Sequence, residues 1–405
     1  MTRTASHKWI FVARFRRGAF GWKSALPIQR LKEALTEIRQ IARADPALAA
    51  EGAVVLLERL SPAIEHVDSS SGAIGTAVNR AIDALVPVIA TADVPATARM
   101  RWLERLFDAL QDDQMPYIEQ VGHRWGELCA SRAMASGWVD RLLPVTAHVM
   151  GAEGAGGHFV GTTACLSALN VAGRHEELLA LLDGARLNWW GYRQYGVDAL
   201  IALGRLSEAL RYAEASRGLN APTAAIARKC EAILLSSGMM DEAYRRYAIE
   251  ANQATTHVAT FRAIVKKYPH RTPHSILDDL VASSPGAEGK WFAAAKDAGL
   301  LDLAVSLAMR SPTDPRTLIR AARDFVSRRP EFAMACGMAA LHWMAAGFGY
   351  EITGSDVLDA YGALTDAALA AGVERDQINR RLRDQFAAVP THSFVATVLA
   401  RHLSV

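Results

Sequence analysis

Gly173-Arg-His-Glu-Glu-Leu178, Gly204-Arg-Leu-Ser-Glu-Ala209, Gly238-Met-Met-Asp-Glu-Ala243 and Gly299-Leu-Leu-Asp-Leu-Ala304 are four versions of one phrase. Each opens on a glycine and places Leu or Ala five residues later. The glycines stand 31, 34 and 61 residues apart, the last interval close to two of the others. Glycine between two apolar-periodic stretches predicts a helix, a tight turn and a second helix. Leu or Ala at the fifth position suits a close approach of those helices. A period of this length marks helical hairpins that bury their apolar faces on one another.

The chain is therefore expected to be all-α, an α-α superhelix of helical hairpins. In its period it resembles tetratricopeptide-like or HEAT-like solenoids, although most of the full tetratricopeptide pattern is absent. Composition agrees: Ala and Leu dominate and β-branched runs are scarce. No Asn-Gly or Asp-Gly turn joins alternating stretches. Upstream, apolar residues at Ile28, Leu31, Leu35, Ile38 and Ala42 predict a helix. Asp45-Pro46, Ser61-Pro62 and Asp314-Pro315 each read as a cap followed by proline at the first helical position. Further helices are expected over 76–89, 96–111 and 115–134. Residues 151–157 hold four glycines in seven positions and predict a joint. The expected domains are a basic amino-terminal helical domain, 1–150, and a helical-hairpin repeat domain, 158–405.

Residues 1–43 carry ten Lys/Arg (among them Arg14, Arg16, Arg17, Lys23 and Arg30) against Glu33 and Glu37. The rest of the chain has 35 basic and 40 acidic residues, so the positive charge is local. Trp9, Phe11, Phe15, Phe20 and Trp22 are threaded through the same stretch. Cations interleaved with flat rings suit a phosphate backbone and its bases.

Cys129, Cys165, Cys230 and Cys336 lie far apart and give neither a disulfide framework nor a zinc knuckle. Free thiols, the absence of a long apolar run and the absence of a signal-peptide core predict a cytoplasmic protein with no membrane partner. No dinucleotide fingerprint, phosphate-binding Gly-Lys-Ser/Thr loop, Gly-x-Ser-x-Gly elbow or zincin motif occurs, so no cofactor is expected. His270 and His274 are interrupted by Pro273, which spoils an i, i+4 metal pair, and no metal is expected. Asp112-Asp113 and Asp278-Asp279 read as solvated helix ends.

Two segments could carry chemistry. Glu65-His66-Val67-Asp68-Ser69-Ser70-Ser71-Gly72-Ala73-Ile74-Gly75 is dense in hydroxyls and opens a helix. Asp68 there is either a plain cap or a carboxylate that activates water or stabilises a developing cation. Asn188-Trp189-Trp190-Gly191-Tyr192-Arg193-Gln194-Tyr195 sets four large rings in seven positions, either as core knobs or as a stacking platform.

Around Asp68–Gly72 and Arg101–Asp113 the chain resembles an uncharacterised family of bacterial helical proteins often joined to a SWIM-type zinc finger. The resemblance spans roughly residues 25–250. It implies an all-α fold and singles out Asp68, but the zinc finger is missing here.

The parts also match, by architecture, helical-repeat DNA glycosylases. On that reading the protein binds DNA and hydrolyses a base–sugar bond in repair or antiviral defence. Asp68 is then the catalytic carboxylate. Arg14, Arg16, Arg17, Trp22, Lys23 and Arg30 grip the nucleic acid, and His66, Ser70, Trp189, Trp190, Tyr192 and Tyr195 form a base pocket. The other expectation is a non-enzymatic scaffold, whose basic segment meets an acidic protein partner.

Overall fold

The computed structural model describes residues 7–151, 158–387 and 394–403. Every element among them is helical, and none is a strand. The chain forms two compact units, Met1–Pro222 and Thr223–Val405.

The first unit holds α1 (Ile10–Arg14), α2 (Ala25–Ala42), α3 (Pro46–Ile64), α4 (Ala73–Ala90), α5 (Ala96–Gln111), α6 (Gln120–His123) and α7 (Trp125–Cys129). It continues with α8 (Arg132–Met150), α9 (Thr162–Ala172), α10 (His175–Asp183), α11 (Trp190–Ala202) and α12 (Leu206–Glu214). Its core runs through the apolar faces of α3 and α4, where Leu56, Leu57, Leu60, Ile64, Val78, Ile82 and Ile89 are sealed from solvent. By length and hydropathy α4 could cross a membrane, against expectation, yet it carries Arg80 and Asp83 and packs its apolar face inside this unit.

The second unit holds α13 (Thr223–Ser236), α14 (Met240–Ala251), α15 (His257–Lys267), α16 (Pro273–Ala282), a short 3-10 turn (Glu288–Trp291) and α17 (Phe292–Asp297). It ends with α18 (Leu301–Arg310), α19 (Pro315–Phe325), α20 (Pro330–Ala345), α21 (Gly354–Ala370), α22 (Arg375–Ala387) and α23 (Phe394–Leu403).

The four glycine turns are as read. Gly173, Gly204, Gly238 and Gly299 have φ of 77°, 74°, 73° and 76°. In each, the residue after the glycine donates its N–H back to the preceding helix: Arg174 to Leu169, Arg205 to Leu200, Met239 to Leu234 and Leu300 to Ala295, at 2.8–3.0 Å. That left-handed closure satisfies helix-terminal carbonyls and turns the chain within one residue. The fifth-position Leu178, Ala209, Ala243 and Ala304 are all fully buried. Gly347 and Gly372 close their helices in the same way, through Phe348 to Trp343 and Val373 to Ala368. Their different downstream spacing hid them from the sequence pattern.

Several local expectations change. Asp45 and Asp314 cap α3 and α19 through the N–H groups of Leu48 and Thr317, both at 2.9 Å. Ser61-Pro62 does not restart a helix, because Pro62 lies inside the last turn of α3. The Ser61 hydroxyl instead donates to Asp113. The helix expected over 115–134 is broken into α6, α7 and the start of α8. Ala130, at φ 57°, ends α7, and the Ser131 hydroxyl caps α8 through the Met134 N–H. The compact units divide at 222/223, not near 150: α8 and α9, on either side of the glycine-rich stretch, pack on each other within the first unit. Residues 152–157 of that expected joint lie outside the described residues.

Candidate functional site

All the residues singled out for binding or catalysis lie in the first unit, and they fall into three places. The first is the face of α1, α2 and the loop between them. Four of its five aromatics are core and not open to a nucleic acid: Trp9, Phe11, Phe15 and Phe20 are 1–7 % exposed. Trp9 lies over Gly52 of α3, where a Cβ would stand 2.2 Å from the indole. The rings of Phe15 and Phe20 meet edge to face at 5.4 Å. Trp22 alone is open, at 72 % exposure. Local hydrophobicity thus pins this segment to α3 and leaves its charges outside.

Those charges divide into two sets. Arg14 and Arg30 both bind Glu33; the Arg30 hydrogen bond first, then that of Gln29 and the charges of the two arginines, hold the Glu33 carboxyl below its ordinary range. Arg17 sits 3.6 Å from Glu65. The Glu37 carboxylate accepts the Ile10 and Phe11 N–H groups at the start of α1. Arg14 and Arg30 are therefore lashed between α1 and α2. By contrast Lys8, Arg16, Lys23, Lys32, Arg39 and Arg43 are exposed and have no carboxylate partner among the described residues. Arg16 turns its Nε to the Ala13 carbonyl at 2.9 Å. At about 100° per residue, Lys32, Arg39 and Arg43 fall within roughly 40° of one another on α2, on the side away from Arg30. Their i, i+7, i+11 spacing is legible in the sequence as a stripe free of acids, which the net charge of the segment conceals.

The second place is the turn before α4. Asp68 donates its backbone N–H to the Trp22 carbonyl at 2.9 Å and accepts the Ser70 N–H at 3.0 Å. These bonds, the Ser70 N–H first and its hydroxyl next, hold the Asp68 carboxyl below its ordinary value. The side chain closes a turn and stays ionised. His66 and Ser70 are exposed, and the His66 ring faces Glu65 at 3.6 Å. Asp68, His66 and Trp22 are thus neighbours, yet none of the three lines either main cavity of the first unit.

The third place is a cavity of about 150 Å³ whose lining runs from the end of α5 to the start of α11. Trp189 and Tyr192 line it, their rings perpendicular with centroids 4.7 Å apart. Trp190 and Tyr195, both 7 % exposed, do not line it. The Tyr195 hydroxyl meets His123 Nδ1 at 2.7 Å. His123 lines the cavity, and burial pushes its imidazole below the ordinary value. Asp113 also lines it. Far from being a solvated helix end, Asp113 is half-buried and accepts the Ser61 hydroxyl at 2.5 Å and the Ile118 N–H at 2.8 Å. Burial raises the Asp113 pKa despite those bonds. Thr162, at the start of α9, is 1 % exposed and lines the same space. The sequence could not pair Asp113 or Thr162 with the aromatic cluster, because some 76 and 27 residues separate them from Trp189.

Among the described residues no group of three or more His, Cys, Asp or Glu side chains is arranged to hold a metal ion. All four cysteines are buried free thiols, and burial pushes the Cys129 and Cys336 thiols up to about 12 and Cys165 to about 11. Comparison with models of protein families and with curated proteins finds no match for this chain.

Proposed function

We propose that the protein binds a polyanion, nucleic acid in the first instance, through the outer face of α2 and the loop before it. One observation carries this reading: Lys32, Arg39 and Arg43 form an exposed stripe with no carboxylate partner among the described residues. Along the helix axis they stand roughly 10 Å and 6 Å apart at 1.5 Å per residue, a ladder that can meet successive phosphates. Arg16, Lys23 and the open indole of Trp22 continue the same chemistry. Arg14 and Arg30, held by Glu33, serve to dock α1 on α2. The reading stops at binding. Asp68 closes its own turn, so a glycosylase-type hydrolysis has no carboxylate in a pocket at that position.

The test is a titration with duplex and single-stranded DNA at several salt concentrations. Each phosphate contact contributes about 0.9 to the slope of log K against log[salt] on duplex DNA. Lys32→Gln/Arg39→Gln/Arg43→Gln should flatten the slope by roughly 3, and Arg14→Gln should leave it nearly unchanged. A flat response in the unaltered protein overturns the nucleic-acid reading. The helical hairpins then support the other reading, an interaction scaffold whose basic face meets an acidic protein.

A further inference from the structure

The cavity beside Asp113 has a chemistry of its own, independent of the basic face. Its volume, about 150 Å³, equals that of an apolar protein cavity that takes one benzene ring. A ligand of six or seven heavy atoms therefore fills it. Its lining is not apolar throughout: Asp113 and Glu119 both contribute carboxylates. Neither has an ion-pair partner among the described residues. Glu119 is exposed, but Asp113 is half-buried; without a cation such a carboxylate is costly to keep ionised, and a cationic ligand relieves that cost.

The aromatic walls point the same way. Trp189 and Tyr192 stand at 80° to each other, so the two rings form a corner. Faces of aromatic rings attract cations, and such corners hold alkylammonium groups. Gly191 makes the corner possible, since a Cβ there would stand 2.5 Å from the Trp189 ring. Deep in the lining, Thr162 Oγ1 is buried without a hydrogen bond. Burial raises the Tyr192 pKa, and the nearby Thr162 oxygen only partly offsets that rise. A buried hydroxyl with no partner is costly unless something completes it, and a ligand hydroxyl or N–H can do so.

We propose that this cavity is a binding site for a compact alkylammonium ion carrying a hydroxyl or N–H group. The positive head sits in the Trp189–Tyr192 corner, facing Asp113 and Glu119, and the polar end reaches Thr162.

The probe is choline, set against 3,3-dimethyl-1-butanol, which has the same shape and no charge. Both are titrated calorimetrically into the full chain at about pH 8, where ordinary imidazoles are neutral. Trp189 is half exposed, so choline should bind at least about fivefold more tightly than the neutral alcohol, the range expected for a partly exposed cation–π contact with a carboxylate nearby. Trp189→Ala and Asp113→Asn should each weaken choline about fivefold or more. Asp113 also braces its loop through Ser61 and Ile118, so Asp113→Asn is read only if its melting temperature is retained. Gly191→Ala, which displaces the indole, tests the corner without touching a charge and should also weaken choline. Equal binding of the two probes, or no choline binding in the millimolar range, overturns the proposal. Because Lys32, Arg39 and Arg43 do not line the cavity, loss of DNA binding in their variants leaves the choline result unchanged.

Discussion

His123 Nδ1 lies 2.7 Å from the Tyr195 hydroxyl, and the two rings are nearly parallel. Burial raises the Tyr195 pKa, so the phenol keeps its proton. With His123 as its hydrogen-bond partner, it donates to Nδ1, which places the imidazole hydrogen on Nε2. Burial also lowers the His123 pKa. Its unfolded counterpart titrates near about 6.5, so below that pH the unfolded chain binds the extra proton. The stability is thus fully present above about 6.5 and is lost as pH falls from there toward the lowered folded value. His123→Gln should therefore lose less melting temperature than the unaltered protein between about pH 7.5 and 5.5. Parallel losses in both proteins would show that this imidazole is not held neutral.

Two glycines, one in a hairpin turn and one inside a helix, resist substitution for different reasons. Gly204 has φ 74° and open space around its missing Cβ. Gly204→Val should cost about 1–2 kcal/mol through backbone strain, and Gly204→Asn much less. Gly126 of α7 is helical, but a Cβ there would stand 2.4 Å from the Ser167 carbonyl of α9. Gly126→Ala should cost about 1–3 kcal/mol through overpacking, although alanine is the better helix former. Denaturant melts of the three variants decide it. A stable Gly126→Ala protein would mean that α7 and α9 separate freely.

Arg99 is 7 % exposed and pairs with no carboxylate among the described residues. Its guanidinium donates to the carbonyls of Ile89 at 2.9 Å, Ala92 at 2.6 Å and Leu128 at 3.3 Å. Those carbonyls lie at the ends of α4 and α7, where helix dipoles are negative. Arg99 therefore fastens two helix termini. Arg99→Met should destabilise the first unit by about 3 kcal/mol, because it leaves buried acceptors bare. Protease nicking confined to the 90–131 region would report the loss, and an unchanged pattern would show that water replaces the guanidinium.

Glu231 anchors the second unit. It is 1 % exposed and accepts from Asn252 Nδ2, Lys267 Nζ and the Tyr268 hydroxyl, each at 2.7 Å. Glu231→Ala strands a lysine and two polar groups and should cost about 3 kcal/mol or more. Glu231→Gln keeps two of the three bonds and should cost clearly less. Calorimetry separates them, and equal costs would assign the effect to volume alone.

The amino-acid sequence by itself determined the helical class and the hairpin turns at Gly173, Gly204, Gly238 and Gly299. Those features depend on a few adjacent residues: a glycine that accepts positive φ, its two backbone bonds and a buried neighbour five positions on. The caps at Asp45 and Asp314 are legible for the same reason. Only the tertiary structure decided which charges of residues 7–43 stay free, because Arg17 finds its carboxylate on Glu65 and Arg14 on Glu33. It also placed in the core four aromatics that were expected to meet a nucleic acid, and carried Pro62 into a helix interior. The cavity of Asp113, His123, Thr162, Trp189 and Tyr192 exists only once α5, α6, α9 and α11 meet. Burial, desolvation and ion pairing act through space, and spacing along the chain does not encode them.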